Sequence, residues 1–217
     1  MMKTFLALPL LFGCMNASVT HAQVSPVVPT TKLYHEALRP QFHFSARYFD
    51  DYRLNPGQHQ EGWVNDVNGL VYNQGEYHFF AQRWWSCWLH AVSTDLVHWQ
   101  ELKPAFGKGG EFGGTQSGGA VVDHQNTSGL ASGSEPPMLA FWSSTDNKNQ
   151  CMSYSQDKGR TWVKYENNPV LSHPFRDPNV FWYEPANKWV MVLYGPMEDE
   201  IADRGTYGFN GESNDAH

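Results

Sequence analysis

Short runs of apolar and aromatic residues, each closed by Gly, Asn, Asp or Pro, recur through the middle of the chain. Their spacing predicts strands over residues 69–73, 77–82, 89–93 and 97–102, with turns at Asn73-Gln74-Gly75 and Thr94-Asp95. Pro104 to Gly114 reads as a glycine-rich loop. A second set follows at 119–123, 138–143, 151–155 and 161–165, and a third begins at Asn179 and reaches Leu193. Beyond Gly195 the chain turns acidic and glycine-rich, and no further set of four is complete. Ahead of these sets, residues 23–43 form an irregular, Pro-containing lead-in, within which 35–44 reads as a first strand or an extended arm.

The sets repeat one another. Asp66-Val67-Asn68-Gly69-Leu70-Val71-Tyr72 matches Asp177-Pro178-Asn179-Val180-Phe181-Trp182-Tyr183, and Ser93-Thr94-Asp95 leads to Trp99 as Ser155-Gln156-Asp157 leads to Trp162. Four antiparallel strands at a regular period are the mark of a β-propeller blade. The expected fold is therefore all-β, a propeller with two full blades and part of a third, the competing architecture being a β-sandwich of the same hairpins. Closure takes about four to eight blades, so the chain is expected to be a fragment. Ser155 to Trp162 fits the Asp box, Ser-x-Asp-x-Gly-x-x-Trp, a hairpin device that makes Asp157 structural.

Composition supports the all-β reading: of 217 residues 15% are aromatic and 17% charged, with 19 Gly and 13 Pro. The net charge is −7 and the 15 Lys and Arg are scattered, which argues against nucleic acid or an anionic membrane as partner. Ten histidines show no ligand spacing, so no metal and no cofactor are expected. His78 and His98 read as structural, and His90 as a residue that could face a pocket.

Lys3 followed by the apolar stretch 5–13 and Val19-Thr20-His21-Ala22 reads as a secretory signal cleaved after Ala22, which implies a secreted, periplasmic or cell-surface protein. Leu11-Phe12-Gly13-Cys14 resembles a lipoprotein box with a lipid anchor on Cys14, though Phe12 is bulky there, and ordinary cleavage is preferred. The apolar run is too short for a membrane span. The resulting division is a signal peptide at 1–22, a lead-in at 23–60 and a partial propeller at 61–217. Cys87 and Cys151 remain, and either a disulfide or two buried thiols fits. Asn126-Thr127-Ser128 is a glycosylation sequon.

Asp66 stands at the mouth of a strand between two asparagines, where amides can hold its carboxylate and Gly69 permits close approach. An Asx turn explains the heptad alone. The second copy, ending at Asp177, changes the picture: two repeated units arranged radially bring two carboxylates to one axis, as glycoside hydrolysis requires.

Trp63-Val64-Asn65-Asp66-Val67-Asn68-Gly69 resembles the Trp-Met-Asn-Asp-Pro-Asn-Gly signature of glycoside hydrolase family 32, the invertases, levanases and inulinases. Phe175-Arg176-Asp177-Pro178 resembles that family's Arg-Asp-Pro motif, residues 90–99 resemble its first-blade segment, and Gln116-Ser117-Gly118 occupies the place of its Phe-Ser-Gly. The resemblance implies a five-bladed propeller and a retaining hydrolysis of β-fructofuranosidic bonds of sucrose, levan or inulin type. It makes Asp66 the nucleophile and Asp177 the transition-state stabiliser, aided by Arg176. Asn65, Gln82, Trp88 and Ser117 match its pocket positions. Arg176 beside Asp177 is expected to keep that carboxylate charged.

Departures from the pattern qualify it. No Glu-Cys dipeptide, the family's proton-donor motif, occurs, so no general acid is assigned. A general acid contributes about 10²–10⁴-fold in rate, and the chain alone is expected to be nearly inactive. Val67 replaces the signature proline. Arg83 and the Trp84-Trp85 pair, in a shortened loop, are expected to build a different pocket wall. Two alternatives stand beside hydrolysis: a fructosyltransferase with the same pocket, and a non-catalytic carbohydrate-binding propeller.

Overall fold

A computed structural model describes residues 43–46, 63–84, 86–107, 112–146, 149–172 and 175–195, with the short strands 206–207 and 213–214. The signal, most of the lead-in, Cys14 and Trp85 lie outside the described residues.

The described chain is all-β apart from a 3-10 turn at Glu184–Ala186. Blade 1 is a four-stranded antiparallel sheet of β1 (Val67–Asn73), β2 (Glu76–Arg83), β3 (Cys87–Ser93) and β4 (Gln100–Gly107), in that order. Blade 2 repeats it with β5 (Thr115–Val122), β6 (Met138–Ser144), β7 (Gln150–Ser155) and β8 (Val163–Lys164). A third unit contributes the hairpin β9 (Arg176–Tyr183) and β10 (Lys188–Tyr194), and β11 (Thr206–Tyr207) pairs with β12 (Ser213–Asn214). This is the partial propeller expected, and Glu184 opens the turn between β9 and β10.

Pleating explains how blade 2 serves two neighbours. Side chains alternate across a strand. On β6, Met138, Ala140 and Trp142 join Phe80, Trp88 and Phe106 of blade 1. Leu139 and Phe141 turn the other way, to Val180 and Trp189 of the third unit. A strand flanked on both faces reads as a continuous buried run, as β3 and β6 do. Truncating Trp88 or Trp142 to Ala would cost about 3–5 kcal/mol. Among the described residues the outer units, each beside one other blade, carry most of the exposed large apolar side chains, among them Leu70, Tyr72, Phe181 and Tyr194.

The first strands pack side by side, β1 against β5 and β5 against β9. Small residues permit this: a methyl on Gly69 would come within 2.8 Å of Ala120 Cβ, and one on Gly119 within 3.2 Å of Asn179 Oδ1. Each first strand also carries one extra residue near its start. The shifts fall between Val67 and Gly69, between Thr115 and Gly118, and between Arg176 and Asn179. Such a bulge bends the strand and re-aims its side chains.

Both turns after the third strands are closed alike. Ser155 Oγ donates to Asp157 Oδ1 at 2.8 Å, and that oxygen accepts Thr161 N–H at 2.8 Å. In blade 1, Ser93 Oγ donates to Asp95 Oδ1 at 3.0 Å, and that oxygen accepts Val97 and His98 N–H. Residues 97–99, expected in a strand, belong to this turn. β4 instead runs through Pro104 to Gly107, into the expected loop. Pro104 is tolerated because the β3–β4 register shifts between Trp88–Phe106 and His90–Leu102, leaving a position that needs no ladder donor. Cys87 and Cys151 are buried thiols that form no disulfide, which decides between the two alternatives left open.

Candidate functional site

The site is built at the bulged starts of the first strands. Asn65 N–H donates to Gln82 O at 3.0 Å and Gln82 N–H to Asp66 O at 2.8 Å, so β2 fixes the backbone that presents Asp66. A side-chain chain runs across the same place. Asn65 Nδ2 donates to Gln82 Oε1 at 2.8 Å, Gln82 Nε2 donates to Ser117 Oγ at 3.2 Å, and Ser117 Oγ donates to Asp66 Oδ2 at 2.7 Å. Gln82 and Ser117 are buried while Asp66 is exposed, so the anchor is dry and the acid faces outward. Ser117 comes from β5, in the next blade.

Asp177 presents itself differently. It is a side-chain-bearing residue in the left-handed region, at φ +59°, inside the β9 bulge. Its N–H donates to Ser143 Oγ of blade 2 at 3.0 Å. Its carboxylate is half-exposed and lies 3.5 Å from Arg176 Nε, while the Arg176 guanidinium rests 4.6 Å over the Tyr194 ring. Burial raises the Asp177 carboxyl above the usual carboxylate range, Arg176 works against that, and the charge of Asp66 adds to it. Arg176 favours the ionised form, as the sequence leads one to expect, but desolvation is the larger effect on this carboxyl. Asp66 lies near enough for its charge to be felt at Asp177.

Other sequence expectations fare unequally. Asn65, Gln82 and Ser117 meet around Asp66, and Arg176 meets Asp177. Trp88, expected to line the pocket, is instead completely buried. It packs on Phe80 and Phe106, and its indole N–H donates to Gln116 O at 2.8 Å, which supports the segment carrying Ser117 from behind. Arg83 and Trp84 are likewise core rather than pocket wall. Arg83 pairs with Glu101 at 2.9 Å in a buried ion pair and lies 4.0 Å over the buried Trp84 ring. His90 does not face the pocket: it is buried, stacks 4.3 Å from Phe80 and shares a 3.0 Å hydrogen bond between its Nε2 and His78 Nδ1.

The flanking asparagines, expected to hold the Asp66 carboxylate, do not: Ser117 holds it, the Asn65 amide goes to Gln82, and Asn68 is buried. With its amide oxygen turned inward it accepts Gln82 N–H at 2.9 Å and the Trp88 indole at 3.0 Å. Among the described residues no group of His, Cys, Asp and Glu is arranged to hold a metal ion, and no helix is long and apolar enough to cross a membrane.

Comparison with known proteins gives the arrangement a setting. Residues 57–204 match the family model described as the glycosyl hydrolases family 32 N-terminal domain. The levanase of Bacillus subtilis (strain 168) is 46% identical over 173 residues, covering 74% of this chain and 24% of the levanase. The extracellular exo-inulinase of Aspergillus awamori is 35% identical over 189 residues, covering 70% of this chain and 34% of that protein. The structure of the β-fructofuranosidase from Schwanniomyces occidentalis complexed with fructosyl-erythritol superposes with a TM-score of 0.58 at 37% identity, over 71% of this chain and 31% of that one. The chain spans about a quarter to a third of the length of these relatives.

Proposed function

The chain belongs to glycosyl hydrolase family 32, and from that premise we propose that it carries the nucleophile half of a retaining β-fructofuranosidase site. The observation that carries the reading is the Asn65–Gln82–Ser117–Asp66 chain of hydrogen bonds. It holds Asp66 Oδ2, and among the described residues no hydrogen bond occupies Oδ1. That oxygen attacks the anomeric carbon of a β-fructofuranosyl unit, the glycosidic bond breaks, and a fructosyl ester forms. The leaving oxygen takes a proton from a general acid to which no residue of this chain is assigned. Water then opens the ester and releases fructose, restoring the Asp66 carboxylate.

Asp177 acts while charge develops on the ring. Its ionised carboxylate, with Arg176, hydrogen-bonds sugar hydroxyls and stabilises the oxocarbenium-like transition state. The substrates proposed are sucrose, levan or inulin. Export follows the pattern at residues 1–22 and the extracellular exo-inulinase among the relatives. Protein sequencing of the exported form would start at Gln23, and an acylated Cys14 would instead support the lipoprotein reading.

The test is sugar hydrolysis by the full natural protein and its Asp66→Asn variant. The expected result is fructose release from at least one of the three sugars and a loss of about 10⁴–10⁶-fold in the variant. Undiminished hydrolysis by Asp66→Asn would overturn the nucleophile assignment. Binding without turnover by the natural protein would favour a non-catalytic propeller.

A further inference from the structure

Near the end of β6, Ser143 is fully buried, and Gln150, its partner in the β6–β7 ladder, is buried with it. Polar groups in such a layer cost stability unless they are bonded, and apolar side chains would pack there without that demand. These two are fully engaged. Ser143 Oγ accepts Asp177 N–H at 3.0 Å and donates to Gln150 Oε1 at 2.8 Å. Gln150 Nε2 donates to the Phe175 carbonyl. Blade 2 therefore grips the third unit on both sides of Arg176, at the Phe175 carbonyl and the Asp177 amide. Immediately after the second point the backbone takes its left-handed turn at Asp177. A residue with a side chain persists in that region only when its surroundings over-determine it.

Blade 1 shows the same device one unit earlier. Gln82, near the end of β2, reaches Ser117 at the bulge of β5. Ser143, near the end of β6, reaches Asp177 at the bulge of β9. In both cases the second strand of one blade holds the first strand of the next.

We propose that Ser143 and Gln150 are positioning residues that hold Asp177 in its left-handed conformation from the neighbouring blade and so set the direction of its carboxylate. The consequence for catalysis rests on the fructofuranosidase reading above; the conformational part does not. Neither side chain touches the sugar. Their effect falls on an interaction strongest in the transition state, so their loss lowers kcat and leaves KM near its original value.

The test uses the full natural protein with Ser143→Ala, Ser143→Thr, which keeps the hydroxyl, and Gln150→Met, which keeps the volume. For Ser143→Ala the expected result is a fall in kcat of up to about 10²-fold, the scale of a misplacement near 1 Å. Ser143→Thr retains most of the rate. A crystal structure of Ser143→Ala shows Asp177 out of the left-handed region and its carboxylate displaced. An unchanged Asp177 φ, or unchanged kcat with a displaced carboxylate, overturns the proposal. If Ser143→Ala does not fold, Gln150→Met reads the same two quantities. If the natural protein hydrolyses no fructoside, the functional reading falls, and the Asp177 conformation still decides the clamp.

Discussion

Ser117 Oγ donates to Asp66 Oδ2 at 2.7 Å, joining the bulged start of β5 to the mouth of β1 in a different blade. The hydroxyl is itself held by Gln82, so it arrives with its direction already set. Removing it leaves the carboxylate to choose its own rotamer and strips Gln82 Nε2 of its acceptor.

Ser117→Ala is therefore expected to lower kcat/KM on a β-fructoside by about 10–100-fold. That corresponds to a charge-assisted hydrogen bond of roughly 1.5–3 kcal/mol. Steady-state kinetics on the full natural protein check this, with circular dichroism to confirm an unchanged fold. A loss below twofold would mean that Asp66 needs no anchor.

Asp177 gives the pH dependence its sign. Burial raises its carboxyl, Arg176 pulls it back, and Asp66 pushes it further up. If the stabiliser must be ionised, activity falls on the acid side as pH drops through this raised value. Arg176→Met removes the charge that favours ionisation, so the acid limb of kcat/KM moves to higher pH. A limb that stays in place or moves down would separate it from Asp177. Protonation of Asp177 favours the folded state, because the folded chain binds that proton more tightly.

The His78–His90 pair has the opposite linkage. Burial lowers His78 from 6.5 to about 4, with Glu76 opposing and Arg160 and Lys158 adding to the fall. Burial, then His78 and Arg160, lowers His90 too. Around the pair, Phe80 stacks on both rings, and the Asp-box turn covers them at Gly159. The unfolded chain takes up protons that the folded chain refuses. Stability is complete above pH 6.5 and is lost as pH falls toward 4, by roughly 3 kcal/mol for His78 alone. Urea unfolding across that window measures the slope, and a flat profile would contradict the buried neutral pair.

Gly69 and Ala120 form a steric couple between first strands. Gly69→Ala brings two methyl carbons to 2.8 Å and should destabilise by about 1–3 kcal/mol. Moving the methyl across the interface, as Gly69→Ala with Ala120→Gly, should recover much of that loss. Thermal unfolding of the two singles and the double closes the cycle, and additive effects would show that the contact is not shared.

The residues that made the fold legible were the ones that repeat. Ser93, Asp95 and Trp99 against Ser155, Asp157 and Trp162 announced two copies of one hairpin, and the structure closes both with the same bonds. Asp66 and Asp177 were legible for the same reason. Trp88 was assigned to the pocket by its match to a family position, whereas pleating turns it into the layer between blades. Pro104 hid the length of β4, since a bulge that excuses proline cannot be seen in one strand alone. The links from Gln82 to Ser117 and from Ser143 to Asp177 were illegible because each joins blades whose spacing only the packed molecule defines.

Those links bear on how this protein can be recombined with its relatives. A chimera cut in the connection after Gly107 separates Gln82 from Ser117, and one cut after Leu171 separates Ser143 and Gln150 from Asp177. Blades are self-contained as sheets, yet each acid is tethered across a blade boundary, Asp66 by Ser117 of the unit after and Asp177 by Ser143 of the unit before. The heritable module is therefore offset from the visible one, running from the middle of one blade to the opening strand of the next.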